Sequence, residues 1–394
     1  MAVEHSQRKH ALLSASGASR WLNCTPSARL EEKFDGSTSS YAEEGTLAHE
    51  FGELNLRLKS GSIEKKTFNS EIKTLRKSKL YGDEMESEVE KYVSYVMETY
   101  AAAKVKTPDA VLLIEERLDF SHLVEQGFGT GDSCIVADGT LEIIDLKYGK
   151  GVSVDAEENS QLKLYGSGAL RAFELMYDIQ TVKLTIVQPR LDHISSWEIS
   201  TEDLIRWGEE VVKPKAEMAY SGEGEQKAGS WCRWCKVKAM CASLAEENIK
   251  LAKHEFKDPY LLSDEQLLGV FKQIPMLTDW ANSVGEYILA EALKGKKWSG
   301  YKLVEGKSRR KWSDDESLLE DVSTVLEKEG FAKKDFTTTE LVGITSIEKL
   351  VGKNNFNPLL GDFIVIPSGK PTLALESDKR PAMGVEQAKI DFSK

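Results

Sequence analysis

Two strand-forming runs joined by Asp138-Gly139 constrain this chain more than any other stretch: Gly129 to Ala137 before the pair and Thr140 to Lys147 after it. Asp-Gly is the pair that a two-residue type I′ turn demands, because both central positions take positive φ. With Ala137 and Thr140 closing that turn, the partners across the ladder are fixed residue by residue, and Asp132 falls opposite Asp145. Directly opposed Cβ atoms lie ~4.5–5.5 Å apart, where two like charges destabilise a sheet unless a cation sits between them. Lys147 lies two residues beyond Asp145 and returns to the same face. Two carboxylates offer hard oxygen ligands to Mg²⁺ or Mn²⁺, and the ammonium can orient a water or steady charge on a phosphate under attack. This constellation suggests metal-assisted phosphodiester hydrolysis. The plain alternative is a solvated hairpin with a cross-strand ion pair.

Upstream, Ala42 to Leu58 reads as a helix in which His49 and Glu53 share a face. His49 can add a nitrogen ligand, and Glu44 or Glu50 can hydrogen-bond ligands or water from behind; an ordinary solvated helix is the alternative. Downstream, Gln161 to Leu170 also reads as a helix. Gln161 and Tyr165, four residues apart, place an amide and a phenol on one side, suited to a phosphate oxygen or a base edge, or else to packing against the sheet. Arg190, after the strand Val182 to Gln188, is a candidate phosphate contact or a plain surface arginine.

The order of these pieces resembles a family. Gly45-Thr46-x-x-His49, Gly129-x-x-Asp132, Ile144-Asp145-x-Lys147 and Gln161-x-x-x-Tyr165 are arranged as in RecB-like nucleases of the PD-(D/E)XK superfamily. The resemblance spans roughly residues 10–245. It implies a restriction-endonuclease-like α/β core, with His49, Asp132, Asp145 and the Leu146 carbonyl as ligands of Mg²⁺ or Mn²⁺. It further implies Lys147 as catalytic lysine and Gln161 with Tyr165 as a substrate-side pair. The implied activity is metal-dependent DNA cleavage to 5′-phosphates, exonucleolytic in preference to endonucleolytic. The look of the whole sequence suggests a phage-encoded branch acting in DNA replication or recombination.

Five cysteines carry a second signal. Cys232, Cys235 and Cys241 form a Cys-x2-Cys-x5-Cys cluster that wants a fourth thiol. Cys134, inside the hairpin, reads as a small buried apolar residue, which leaves Cys24 as the partner. One cysteine before the core and three after it resemble the iron–sulfur staple of AddB-like members of the same superfamily. That resemblance favours a [4Fe–4S] cluster, with structural Zn²⁺ the alternative that spacing leaves open. Either would crosslink segments some two hundred residues apart and so remove entropy from the unfolded chain. With no signal peptide recognised, a reducing, cytoplasmic setting is expected (host cytoplasm for a phage protein), and disulfides are disfavoured.

The 394 residues suffice for two cores, and no run approaches the ~18 apolar residues that a membrane span needs. A net charge of −12 would repel duplex phosphate overall, so DNA contact would fall to local basic patches: Lys73 to Lys79, Lys147 with Lys150, and Lys307 to Lys311. Apolar spacing predicts a helix over Asp83 to Ala103 and a strand over Ala110 to Glu116. With the hairpin, the Gln161 helix and the strand 182–188, these give a mixed sheet flanked by helices. We place the nuclease domain at residues 1–250 and an α+β accessory domain at 251–394, a DNA-binding or oligomerisation element. In the latter, Ser263 and Gln266 announce a helix over 264–293 that Pro275 should kink or divide. A strand near Tyr301 to Val304, a helix from Ser313 and Glu316 to Gly330, and a strand-like run at Phe363 to Pro367 complete it. Two other readings stay open beside the nuclease: a DNA-binding or scaffold protein that kept the fold without catalysis, and a zinc-stapled structural module. Residue patterns alone leave open strand polarity, oligomeric state and whether a helicase or single-strand-binding protein is a partner.

Overall fold

The computed structural model describes residues 11–34, 40–252, 264–306, 311–313, 317–337, 341, 343–365, 371–375 and 381–383. Its centre is a five-stranded sheet in chain order: β1 (Val111–Asp119), β2 (Phe128–Ala137), β3 (Gly139–Leu146), β4 (Ile179–Gln188) and β5 (His193–Ser200). All neighbours are antiparallel except β3 and β4, which run parallel. A parallel pair needs a crossover, and helix α6 (Ser160–Phe173) supplies it. In front of the sheet in sequence come α1 (Ala18–Asn23), α2 (Ser27–Glu31), α3 (Ser40–Lys59), α4 (Lys65–Leu75) and α5 (Asp83–Lys106); behind it come α7 (Thr201–Trp207), α8 (Lys213–Ser221) and α9 (Ala242–Ala252).

The hairpin register is the one the turn arithmetic gives: Ala137 pairs with Thr140 and Ser133 with Ile144, so Asp132 and Asp145 follow as the next opposed positions. The turn type differs. Gly139 has φ 82°, but Asp138 is not in the positive-φ region, so the turn is not type I′. Tertiary contacts hold it instead: the Asp138 amide donates to Thr107 Oγ1, the Gly139 amide to the Asp178 carbonyl, and the Asp178 amide to Asp138 Oδ1. An isolated hairpin must match its turn to strand twist, whereas this one is clamped by β4 and by the end of α5.

Alternation along β2 and β3 feeds two cores. Cys134, Val136, Leu141 and Ile143 join Trp21, Phe120, Leu164 and Leu184 on the α6 side. Ile135, Ile144 and Leu146 join Phe51, Tyr92 and Val96 of α3 and α5 on the other. Both hairpin strands are therefore buried on both faces, and carboxylates placed there are enclosed by the fold.

Packing divides the chain into Met1–Trp280 and Ala281–Lys394, a division that falls inside helix α10 (Asp264–Leu293). The boundary expected at 250/251 lies at the end of α9. Pro275 does not divide α10; residues around it such as Phe271 and Lys272 are exposed, so water can serve the carbonyl left without an N–H donor. The second unit pairs β6 (Tyr301–Glu305) with a late strand (Pro371–Leu375), and β7 (Lys311–Trp312) with β8 (Ile364–Val365). Its core gathers Val322 and Leu326 of α11 (Leu318–Lys328), Phe336 of α12 (Lys333–Phe336), Ile347 of α13 (Ile344–Val351), and Phe356 and Leu360 of α14 (Lys353–Leu360). Gly330, at φ 92°, follows α11 where the sequence placed its end. Ser263, Glu316, Lys307 to Arg310 and the Ile366-Pro367 end of the last predicted strand lie outside the described residues. No helix among the described residues is long and apolar enough to cross a membrane.

Candidate metal centre

Three strands bring three carboxylates into a row. Asp132 stands opposite Asp145 in the β2–β3 register, and Glu115 stands opposite Asp132 in the β1–β2 register, between the pairs Ile114–Ser133 and Glu116–Gly131. Glu115 interrupts the ladder with φ 50°, a left-handed conformation uncommon for a side-chain-bearing residue. Sequence reasoning missed it because the β1–β2 connection runs from Phe120 to Gly127 and has no two-residue turn from which register can be computed. The Glu115-Glu116 pair in a predicted strand was the only available signal.

Helix α3 delivers His49, whose Nδ1 lies 3.2 Å from Asp132 Oδ1 and 3.9 Å from Glu115 Oε1. One ligand atom from each of His49, Glu115 and Asp132 falls within 4.8 Å of the other two, a set that fits a divalent metal ion. Asp132 uses its other oxygen, Oδ2, to accept from the Leu146 amide at 2.7 Å, which fixes the carboxylate plane. Asp145 lies outside the compact trio and is engaged from the other side. The Lys147 ammonium sits 2.7 Å from its Oδ2, and Gln161 Nε2 donates to its Oδ1 at 3.2 Å. Gln161 also accepts from Lys147 Nζ at 3.2 Å and donates to the Tyr165 hydroxyl at 3.3 Å. The Asn159 side chain caps α6 by accepting from the Gln161 and Leu162 amides, which sets the helix start that aims Gln161 inward.

Electrostatics follow from this crowding. Burial alone would lower the His49 pKa, but the charge and hydrogen bond of Asp132, with Glu115 and Asp145 behind them, hold it well above the ordinary value. Asp132 resists the upward push of burial because His49 and Lys147 are close, and it stays below the usual carboxylate range. Burial wins at Asp145 and Glu115, and both are raised. Lys147, between Asp145 and Asp132, is raised despite its enclosure. Three carboxylates against one histidine and one lysine leave the cluster short of positive charge. Asp145 Oδ2 is buried and accepts no well-aligned hydrogen bond. A divalent cation suits both facts.

The remaining predicted residues divide. Arg190 is closed off from a direct phosphate role by ion pairs to Glu44 (3.1 Å) and Glu84 (2.8 Å), and it lies over the Tyr148 ring at 4.6 Å. Glu44 thus ties the start of α3 to the β4–β5 turn. Glu50 is exposed on α3, and no described hydrogen bond or ion pair carries it into the site. Glu53 pairs with Arg57. Of the basic patches, Arg76 is paired to Glu86 and Lys150 to Glu84.

Cys24, Cys232, Cys235 and Cys241 line a single cavity with Leu30, Trp231 and Leu244. Burial raises the Cys232 thiol, with Cys241 and Cys24 close enough to add to the effect, and pushes the Cys235 thiol up to about 12. Glu31 locks the cysteine loop to the N-terminal helices: its Oε1 accepts from the Lys236 amide at 2.7 Å and its Oε2 from Arg20 Nε at 2.8 Å. No three of these sulfurs fall within 4.8 Å of one another. Four thiolates on one zinc, at ~2.3 Å each, would sit ~3.8 Å apart. Cys134 is apart from this group, fully enclosed in the α6-side core, its thiol pushed up to about 12 by burial.

Comparison with solved structures finds low similarity. A crystal structure from Eubacterium rectale described as a "Putative exonuclease" is 13% identical with a TM-score of 0.33, over 60% of this chain and 92% of that one. The structure of SSO0001 is 13% identical with a TM-score of 0.26, over 61% of this chain and 89% of that one. At these values neither likeness carries weight for activity. The sequence as a whole is more informative: residues 10–381 match the family described as "Protein of unknown function (DUF2800)", and the chain belongs to that family.

Proposed function

We propose that this protein is a divalent-metal-dependent deoxyribonuclease with a PD-(D/E)XK core of the RecB-like type, acting as an exonuclease. The observation that carries the reading is the row Glu115–Asp132–Asp145 across three strands, with His49 at one end and Lys147 held by Gln161 at the other. His49, Glu115 and Asp132 would hold Mg²⁺ or Mn²⁺, and Asp145 with the Leu146 carbonyl are the further ligands that the family resemblance implies. A bound ion would supply Lewis acidity and lower the pKa of water at the site. Lys147 places its ammonium beside Asp145, where negative charge grows on a phosphate under attack. Gln161 restrains Lys147 and Asp145 together, and the Tyr165 hydroxyl beside it offers a hydrogen bond to a phosphate oxygen. Water adds to phosphorus, the 3′-oxygen leaves, and the 5′-phosphate is retained.

For the four cysteines that line one cavity we favour a [4Fe–4S] cluster over structural Zn²⁺ on the resemblance to the iron–sulfur staple, since spacing suits either. Its role is structural, pinning α1 and α2 to the segment that follows α8. We assign the nuclease chemistry and the staple to residues 1–250 and an accessory role to 251–394. Reduced thiols in such a site suit the cytoplasm.

The test is degradation of end-labelled linear DNA in Mg²⁺ or Mn²⁺. Wild type should degrade it, and Asp145→Ala and Lys147→Ala should each fall by at least about a hundredfold while melting as folded proteins. Undiminished activity in either variant removes the hairpin from the mechanism. Cleavage of circular DNA would make the enzyme an endonuclease, and tight binding with no cleavage would make it a scaffold.

A further inference from the structure

Lys147 and Gln161, which engage Asp145, also line a cleft of about 1040 Å³ that the cysteine loop lines as well. Besides Lys147 and Gln161, that cleft is lined by Arg20, Arg233, Trp234 and, from the first half of α10, Lys272. Trp234 is 74% exposed, an unusual position for a large aromatic residue beside a Cys-x2-Cys motif whose cysteines are buried. Its backbone is not loose: the Arg20 guanidinium donates to the Trp234 carbonyl at 3.4 Å, the Cys235 amide to the Cys232 carbonyl at 3.0 Å, and the next residue but one is clamped through Glu31. The Arg233 guanidinium lies 5.5 Å from the Trp234 ring centroid. The loop thus holds one indole, with a cation beside it, out into the cleft on a fixed backbone.

We propose that the cysteine loop is a strand-binding wall: Trp234 stacks on a base of single-stranded DNA whose scissile phosphate reaches Lys147, while Arg233 and Lys272 follow the backbone. The inference rests on the nuclease reading and names its substrate form. Aromatic platforms with adjacent cations suit single strands, because every base has a face to stack and every residue a phosphate to neutralise. Cleft size agrees, since the volume lies at the upper end of the ~300–1,000 Å³ of small-ligand pockets, room for a few nucleotides of one strand and not for a double helix. Charge is arranged locally: of the five acids lining the cleft, Glu158 and Asp279 are ion-paired with Lys163 and Lys238, Asp155 lies against His193, and Glu157 and Glu247 stand with Arg233 and Lys272 without an ion pair among the described residues, so the cation that matters is Arg233 beside the Trp234 ring. The staple then serves the substrate as well as the fold, by setting where the stacking surface stands relative to the carboxylates.

The test is fluorescence anisotropy of a labelled oligothymidylate of about a dozen nucleotides, with Ca²⁺ in place of Mg²⁺ so that binding is read without turnover, beside a duplex of equal length. Wild type should prefer the single strand. Trp234→Ala should weaken it about tenfold, the scale of one lost base–aromatic stack, and Trp234→Phe should restore most of the loss. Arg233→Glu should weaken binding and flatten its dependence on salt. Unchanged affinity in Trp234→Ala, or equal affinity of wild type for duplex, overturns the proposal. Binding that depends on Trp234 in a protein that never cleaves DNA would sink the nuclease reading and leave the wall standing. Cleavage with no dependence on Trp234 would do the reverse.

Discussion

The carboxylate row and the cysteine cavity are both assembled from distant parts of the chain, yet they are built in opposite ways. The row is made by register: three adjacent strands present Glu115, Asp132 and Asp145 at matching positions, and the donor atoms of His49, Glu115 and Asp132 crowd within 4.8 Å. The cavity is made by clasping: Cys24 at the end of α1 meets a loop more than two hundred residues later, held through Glu31 and Arg20, and its sulfurs stay further apart. A sheet imposes spacing on what it carries, so a compact oxygen and nitrogen set suited to one hard cation emerges. Loops impose no such spacing, and the four cysteines share a cavity without forming a compact trio.

Five substitutions at four places test this contrast. The largest effect is expected at the row: His49→Ala or Glu115→Gln removes a ligand outright and should weaken Mn²⁺ binding in calorimetry by well over the roughly hundredfold that losing a supporting partner costs, without touching metal at the cysteines. Equal Mn²⁺ affinity in both would dissolve the trio as a metal centre. Next comes the clasp. Cys24→Ser should bleach the broad visible absorption expected of an iron–sulfur protein and lower stability by about 2–5 kcal/mol, the scale of losing a native crosslink. A colourless wild type carrying one zinc would replace the cluster by zinc. Third, Glu31→Ala strips the Lys236 amide and Arg20 of their shared acceptor and should cost about 1–3 kcal/mol in denaturant melts. A change below a few tenths would show that the cysteines alone hold the loop. The smallest effect belongs to the face opposite α6, where Tyr92→Phe leaves the buried Ser133 hydroxyl without its 2.7 Å partner. About 1 kcal/mol should go, with DNA cleavage unaltered; a large loss of activity would mean that α5 helps to align the row.

What could be read beforehand follows the same division. Asp138-Gly139 fixed the β2–β3 register even though Asp138 does not adopt the conformation that the pair suggests, because register depends on loop length and the turn type yields to Thr107 and Asp178. Helices α3, α5 and α6 were legible because each buries a periodic stripe: Phe51, Val96 and Leu164 stand in it. Strand β5 was not anticipated: it is a half-exposed edge whose Ser195, Ser196 and Glu198 dilute the strand pattern. Glu115 stayed hidden for want of a short connection, and Glu50 turns to water because consecutive helix positions point ~100° apart, so the residue after His49 leaves the face that meets Asp132. Arg190 was legible as important and not in its partners, since Glu44 and Glu84 lie more than a hundred residues away. In the second unit, α13 and α14 are eight residues each, too short for their periodicity to stand out.

Gly168 of α6 has a consequence for how this site could be altered. A Cβ there would lie 2.9 Å from the Asp119 carbonyl oxygen, so helix and strand meet main chain to main chain. Nothing compressible separates them. The height of α6 above β1, and with it the reach of Gln161 and Tyr165, is therefore gauged by bare peptide, as a shim sets the clearance of a bearing. Repacking the leucines around it would tune firmness, whereas a methyl group at residue 168 would lift the whole helix and draw Gln161 and Tyr165 away from Asp145.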